Sequence, residues 1–142
     1  MVLSRPVILA AFRGHGVRCT PQRYTILDYL SRNPKHPTAQ QICKAINRKD
    51  PRASLATVYK SLHAMASAGL IREVTLDGPA ARFESNMAKH HHFVCERCGR
   101  VEDVEWFTVP ALAQRNRLGR RTLRDYEVLM RGLCSSCSQS SS

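Results

Sequence analysis

The sequence predicts an α+β fold in which a winged helix-turn-helix precedes a small α/β domain. Capped amphipathic helices fill the first half and lead into a strand, a turn and a returning strand. A polar stretch, Ser85-Asn86-Met87-Ala88-Lys89, reads as a hinge, and beyond it short strands surround one helix, with two Cys-x-x-Cys pairs near the two ends of this half. These observations divide the chain into a domain over 1–84, a hinge over 85–89 and a second domain over 90–142.

The elements follow in order. Ser4 and Pro6 start a short helix carrying Val7, Ile8, Leu9, Ala10 and Phe12, and Gly14 and Gly16 end it. Thr20-Pro21 repeats the start signal for a helix with Ile26, Leu27 and Leu30 on one face, closed by Asn33, Pro34 and Pro37. Thr38 with Gln41 forms a capping box for a third helix, buried through Ile42, Ala45 and Ile46. Ser54 caps a fourth in which Leu55, Val58, Leu62 and Met65 form the apolar stripe and Ala56, Thr57, Lys60 and Ser61 lie off it; Gly69 stops it. Leu70 to Leu76 reads as a strand, Asp77-Gly78-Pro79 as a turn and Ala81 to Glu84 as the returning strand. In the second half Phe93 and Val94, Val101 to Trp106, and Tyr126 to Met130 read as strands, and Pro110 opens a helix to Leu118.

Composition narrows the function. The chain has 142 residues, 43% apolar and 23% charged, which excludes a large multidomain enzyme and a wholly disordered chain. Lysine and arginine total 22 against 11 acids, a formal net charge of +11 that points to a polyanionic partner. Residues 1–84 hold 13 basic and 5 acidic side chains, so the positive field lies mainly in the first half. No run approaches the ~20 apolar residues of a membrane span, and the N-terminus lacks a secretory pattern. A cytoplasmic protein without a membrane partner is expected, with reduced thiols that favour metal binding over disulfides.

Cys95, Cys98, Cys134 and Cys137 can close a tetrahedral thiolate shell around structural Zn²⁺, with redox dithiols and ordinary buried cysteines as the alternatives. Antiparallel strands are expected to bring the two pairs together. Cys19 and Cys43 stand singly on helical segments and read as core residues. In an extended His90-His91-His92, the first and third rings share one face and His91 takes the other. With Glu84, Asp103 and His36 they offer three nitrogens and two carboxylates, a set suited to Fe²⁺, Mn²⁺ or Zn²⁺. Spacing alone leaves His36 as either a ligand or an exposed loop histidine, the class to which His15 and His63 are assigned.

Gly16-Val17-Arg18, Thr20-Pro21-Gln22-Arg23, His36-Pro37-Thr38-Ala39, Ala56-Thr57-Val58-Tyr59, Arg82-Phe83-Glu84, the histidine run and both cysteine pairs, in that order, resemble the ferric uptake regulator family and its peroxide-sensing branch. The resemblance implies a homodimeric metal-responsive repressor with an N-terminal winged helix, a C-terminal dimerisation domain and an AT-rich inverted-repeat operator in double-stranded DNA. It assigns structural zinc to Cys95, Cys98, Cys134 and Cys137, and a regulatory ion, Fe²⁺ or Mn²⁺ with Zn²⁺ able to replace it, to His36, Glu84, His90, His92 and Asp103. DNA contacts fall on Arg18 in the minor groove and on Tyr59 and Lys60 of the recognition helix, with packing as the alternative for Tyr59. Tyr126 stands where some members carry a histidine of a third metal site, so that site is not expected. Glu84 stands where the peroxide-sensing branch resembles an aspartate, which favours metal response over oxidation sensing.

A zinc enzyme is the rival from another class. It requires an open coordination position and a nearby base, whereas the thiolate quartet is full and no His-x-Glu precedes a Pro-Cys-x-x-Cys. A zinc-ribbon scaffold with no sensing metal is the remaining alternative.

Overall fold

The computed structural model describes residues 2–48, 53–76, 78–113 and 118–139. The chain forms two compact units, Met1–Met87 and Ala88–Ser142.

The first unit starts with α1 (Arg5–Gly14), which buries Ile8 and Phe12 one helical turn apart. In α2 (Pro21–Arg32) the Thr20 side chain accepts from the Arg23 N–H, and Ile26, Leu27 and Leu30 face inward. The full capping box of Thr38 and Gln41 opens α3 (Ala39–Ile46), and Ser54 caps α4 (Leu55–Ser67) by accepting from Thr57. Each cap satisfies one of the N–H groups that a helix start leaves without an internal partner. Behind α4 the chain turns at Gly69, whose φ of +82° a side chain would disfavour.

Two short strands follow, β1 (Arg72–Val74) and β2 (Arg82–Glu84), paired antiparallel with Arg72 opposite Glu84. The wing is thus shorter than the expected 70–76 and 81–84, and the expected turn residue Asp77 lies outside the described residues. An element absent from the sequence reading lengthens the wing sideways. The loop before α3 joins β2 through a Thr38–Arg82 bridge and a Phe83 N–H bond to the Pro37 carbonyl.

Ile8, Phe12, Ile26, Leu27, Ile42, Val58, Leu62, Met65, Ile71 and Phe83 close the core beneath these elements. Each such side chain contributes about 1.5–3 kcal/mol through burial.

The second unit is a three-stranded sheet in the order β4 (Val101–Glu105), β3 (His90–Cys95), β5 (Leu129–Gly132). The β3–β4 pair is antiparallel, but β3 and β5 are parallel, with His92 opposite Leu129 and Cys95 opposite Gly132. This corrects the expectation that antiparallel strands unite the cysteine pairs. Cys134 follows the end of β5, so only a parallel arrangement puts it at the same end of the sheet as Cys95. The last strand also begins three residues later than Tyr126, because Tyr126 is used otherwise: its hydroxyl accepts from the Val109 N–H at 2.9 Å. Where a helix from Pro110 to Leu118 was expected, a 3₁₀ turn spans Pro110–Ala113, and residues 114–117 lie outside the described residues. A short helix, α5 (Ser135–Gln139), is the last element among the described residues.

The crossover from β4 to β5 packs on one face of β3. His91 stacks on Trp106 at 4.5 Å and meets Phe107 at 4.2 Å, while Trp106 lies 4.8 Å from Tyr126. At Gly132 an added Cβ would come within 3.3 Å of the Phe93 ring, so a larger residue there would push on the ring where β5 approaches β3.

Leu62 is fully buried and Leu55, on the same helix, is 37% exposed. Leu62→Ala is expected to destabilise the protein by about 2–5 kcal/mol and Leu55→Ala by no more than about 0.5 kcal/mol. Denaturant unfolding of the two variants checks this, and equal losses would contradict the core assignment.

Candidate metal centre

The C-terminal unit is poor in apolar burial. Among the described residues it buries Val94, Cys95, Val101 and Cys134, too little to hold a unit of this size without a staple. The four cysteines supply the means. Their sulfurs lie within 4.8 Å of one another, and Cys98 and Cys134 are 3.8 Å apart. Zn–S bonds of about 2.3 Å in a tetrahedron put the sulfurs about 3.8 Å apart, so the quartet matches zinc in number, element and spacing.

Local structure explains the convergence. The turn after Cys95 bends back through a Gly99 N–H bond to the Cys95 carbonyl, with Gly99 at φ +75°. Across the sheet end, the Glu96 N–H bonds to the Gly132 carbonyl at 2.8 Å, and α5 carries Cys137 back one turn from Cys134. Cys95 is held down to about 6 by the Cys134 and then the Cys98 backbone N–H groups. Cys137 is pushed up to about 12, first by its hydrogen bond with Cys134 and then by burial. A cation gathered by the quartet therefore meets Cys95 ready as a thiolate and must displace the proton of Cys137. Such a closed shell leaves no position for substrate.

The remaining donors belong to two groups, one in each unit. In the N-terminal unit the His36 Nε2 is 2.6 Å from Glu84 Oε2, and the other oxygen of Glu84 is 3.5 Å from Arg72 Nη1. His36 is buried and adopts φ +56°, the left-handed region that non-glycine residues rarely enter. Its conformation is held by Arg82, which donates to the His36 carbonyl at 3.0 Å, and by the bridge at Thr38. His36 is therefore not an exposed loop histidine. His15, by contrast, is an exposed C-cap whose ring bonds to the Ala11 carbonyl, and His63 is exposed on α4.

In the C-terminal unit, β3 alternation separates the three histidines. His91 is fully committed to the fold: Nε2–H donates to the Phe107 carbonyl at 2.8 Å and Nδ1 accepts from the Val128 N–H at 3.0 Å. His90 and His92 share the other face, with Nε2 atoms 3.1 Å apart. Asp103, opposite His92 on β4, reaches to 3.4 Å from His90 Nε2. The His90 Nδ1–H donates to the Ala88 carbonyl at 2.6 Å, which leaves Nε2 as the basic nitrogen of the neutral ring. Glu127, not singled out from the sequence, lies 3.5 Å from His92 Nδ1. Arg72 was missed as well, although its place opposite Glu84 follows from the hairpin register.

On the helical side, the face of α4 opposite Val58, Leu62 and Met65 is open. Tyr59 is 46% exposed, so it is not a packing residue, and Lys60 and Arg18 are exposed with it. Cys19 and Cys43 are half-buried, packed against the core, which fits their reading as small core side chains.

A sequence model of the Ferric uptake regulator family matches residues 14–124. The "Peroxide-responsive repressor PerR" of Staphylococcus epidermidis is 35% identical over 136 residues, covering 92% of this chain and 88% of that protein. Among solved structures, the Helicobacter pylori ferric uptake regulator superposes with a TM-score of 0.73 at 22% identity over 99% of this chain and 98% of its own, a likeness of fold. The Francisella tularensis ferric uptake regulator, solved with iron, gives a TM-score of 0.69 at 26% identity, covering 87% and 96% of the respective chains.

Cys98→Ser is expected to release tightly held zinc and to lower the melting temperature of the C-terminal unit, since metal binding contributes directly to folding in such sites. Zinc content by atomic absorption and a thermal melt are the measurements. A variant that keeps one zinc per chain and melts like the parent contradicts the quartet as a structural site.

Proposed function

The chain belongs to the ferric uptake regulator family and is a metal-responsive repressor of that family, and we propose that it binds an AT-rich inverted-repeat operator as a homodimer when a divalent ion occupies its regulatory site. The observation that carries this reading is the His36–Glu84 pair, two metal-binding side chains 48 residues apart held at 2.6 Å with His36 in a strained backbone conformation. Strain of this kind persists where surrounding structure enforces it, and it clusters at functional positions.

In this reading His36 and Glu84 provide part of the regulatory ligand set and His90, His92 and Asp103 the rest. Imidazole and carboxylate donors suit Fe²⁺ or Mn²⁺, with Zn²⁺ able to replace either, and the iron-bound Francisella relative supports iron. Cys95, Cys98, Cys134 and Cys137 hold a structural zinc. Residues 1–84 are the DNA-binding domain, 85–89 the hinge and 90–142 the dimerisation and zinc-binding domain.

The α4 helix then enters the major groove, with Tyr59 and Lys60 at the bases and phosphates, and Arg18 reaches into the adjoining minor groove. The exposure of these three side chains and the charge of +11 support that assignment. No residue is given a catalytic role. The repressor works in the cytoplasm, where its DNA is, without a membrane partner.

Occupancy of the regulatory site and DNA binding are thermodynamically linked. Mn²⁺ is expected to bind more tightly when an AT-rich inverted-repeat duplex is present, by about 1–3 kcal/mol, or roughly 5- to 150-fold. Titrating Mn²⁺ into the zinc-loaded protein with and without duplex measures the coupling. Equal affinities would eliminate it.

The 35% identity to a peroxide-responsive repressor favours a second reading, in which iron-catalysed oxidation of a ligand histidine releases DNA. Glu84, one methylene longer than aspartate, speaks for the first. Accordingly, the Fe²⁺ form exposed to low peroxide is expected to show little added oxygen on His36, His90 or His92 by mass spectrometry, and Glu84→Asp more. Rapid oxidation of the unmodified chain with loss of DNA binding would establish the second reading instead.

A further inference from the structure

We propose that Glu127 is a positioning residue that sets the metal-binding tautomer of His92. The inference rests on the reading of His90 and His92 as ligands of the regulatory ion.

The hydrogen bonds around β3 create a conflict that Glu127 resolves. His90 directs its Nδ1–H at the Ala88 carbonyl, so its neutral ring has a lone pair on Nε2. For the 3.1 Å contact between the two Nε2 atoms to be a hydrogen bond, His92 must then carry a proton on Nε2. A His92 ring in that tautomer presents a proton where a cation needs a lone pair. For both rings to ligate through Nε2, the His92 proton must leave Nε2 while solvent returns one to Nδ1, and Nδ1–H then needs an acceptor.

Glu127 Oε2 is placed for this, 3.5 Å from His92 Nδ1, with the ring 1% and the Glu127 side chain 36% exposed. The ring is fixed, and the half-exposed carboxylate is the partner with room to close the remaining distance, about 0.5 Å to an ordinary hydrogen bond. Two hydrogen bonds made by the next residue, Val128, hold Glu127 there. The His92 N–H donates to the Val128 carbonyl at 3.0 Å, and the Val128 N–H donates to His91 Nδ1 at 3.0 Å. His91, on the opposite face, thus anchors the residue next to Glu127 and fixes where the Glu127 side chain starts. A carboxylate on the outer nitrogen of a ligating histidine orients the ring and raises its basicity.

The test uses the full-length, zinc-loaded protein and Mn²⁺ alone as probe, comparing Glu127→Ala, Glu127→Gln and His92→Ala. Glu127→Ala is expected to weaken Mn²⁺ binding about 10- to 100-fold, the usual consequence of losing an outer-shell partner, with zinc content unchanged. Glu127→Gln, whose amide oxygen still accepts from Nδ1–H, should recover most of the affinity. In ¹⁵N spectra of the ring nitrogens, taken without Mn²⁺, His92 should hold a larger Nε2–H population in Glu127→Ala than in the parent. Parental affinity and tautomer in Glu127→Ala, with binding abolished in His92→Ala, overturn the proposal and leave the regulatory site standing. Equal losses in Glu127→Ala and Glu127→Gln also overturn it, because they make Glu127 itself a ligand. If His92→Ala binds Mn²⁺ like the parent, the underlying site assignment fails.

Discussion

The parallel pairing of β3 with β5 is the constraint on which the C-terminal unit depends. Parallel strands need a crossover of a dozen or more residues, and here the chain between Trp106 and Val128 provides it. Because both strands then end on the same side, the Cys95 turn and the start of α5 meet, and four sulfurs fall at the spacing that zinc requires. Reversing the direction of β5 would leave the two cysteine pairs at opposite ends of the sheet. The metal site is thus a consequence of topology, and the topology is in turn stabilised by the metal, since the unit buries few apolar side chains of its own.

The same central strand divides the labour of three adjacent histidines by alternation alone. Cys95 lies at its zinc end, His90 and His92 at the other, and His91 turns to the crossover, where its two ring nitrogens and the faces of Trp106 and Phe107 absorb it into the fold. Identical side chains therefore have different chemistry because the strand period is two. In the N-terminal unit the comparable device is the loop ahead of α3, which becomes part of the wing through Thr38 and Pro37 and so brings His36 to Glu84.

What was legible in the sequence is what is encoded locally. Thr20, Thr38 and Ser54 act on N–H groups three residues away, and all three caps form as their sequence pattern indicates. The cysteine pairs and the separate orientation of His91 are equally short-range. The strand direction of β5 was not legible, because its partner is 37 residues earlier and either direction suits its apolar pattern. Nor was its starting point: Tyr126 and Val128 have strand-like chemistry, yet their hydroxyl and N–H are taken by Val109 and His91. Glu127 was invisible for a related reason, since a charged residue near a strand usually faces solvent and only tertiary register turns it toward His92.

The left-handed backbone at His36 has one more consequence. A glycine would adopt φ +56° without steric penalty, so for the backbone alone position 36 is better served by a residue with no side chain. The same exchange would empty the buried space of the ring and take from Glu84 its 2.6 Å partner. Backbone ease and side-chain pairing therefore compete at this single position, and the left-handed turn is kept by what the imidazole touches.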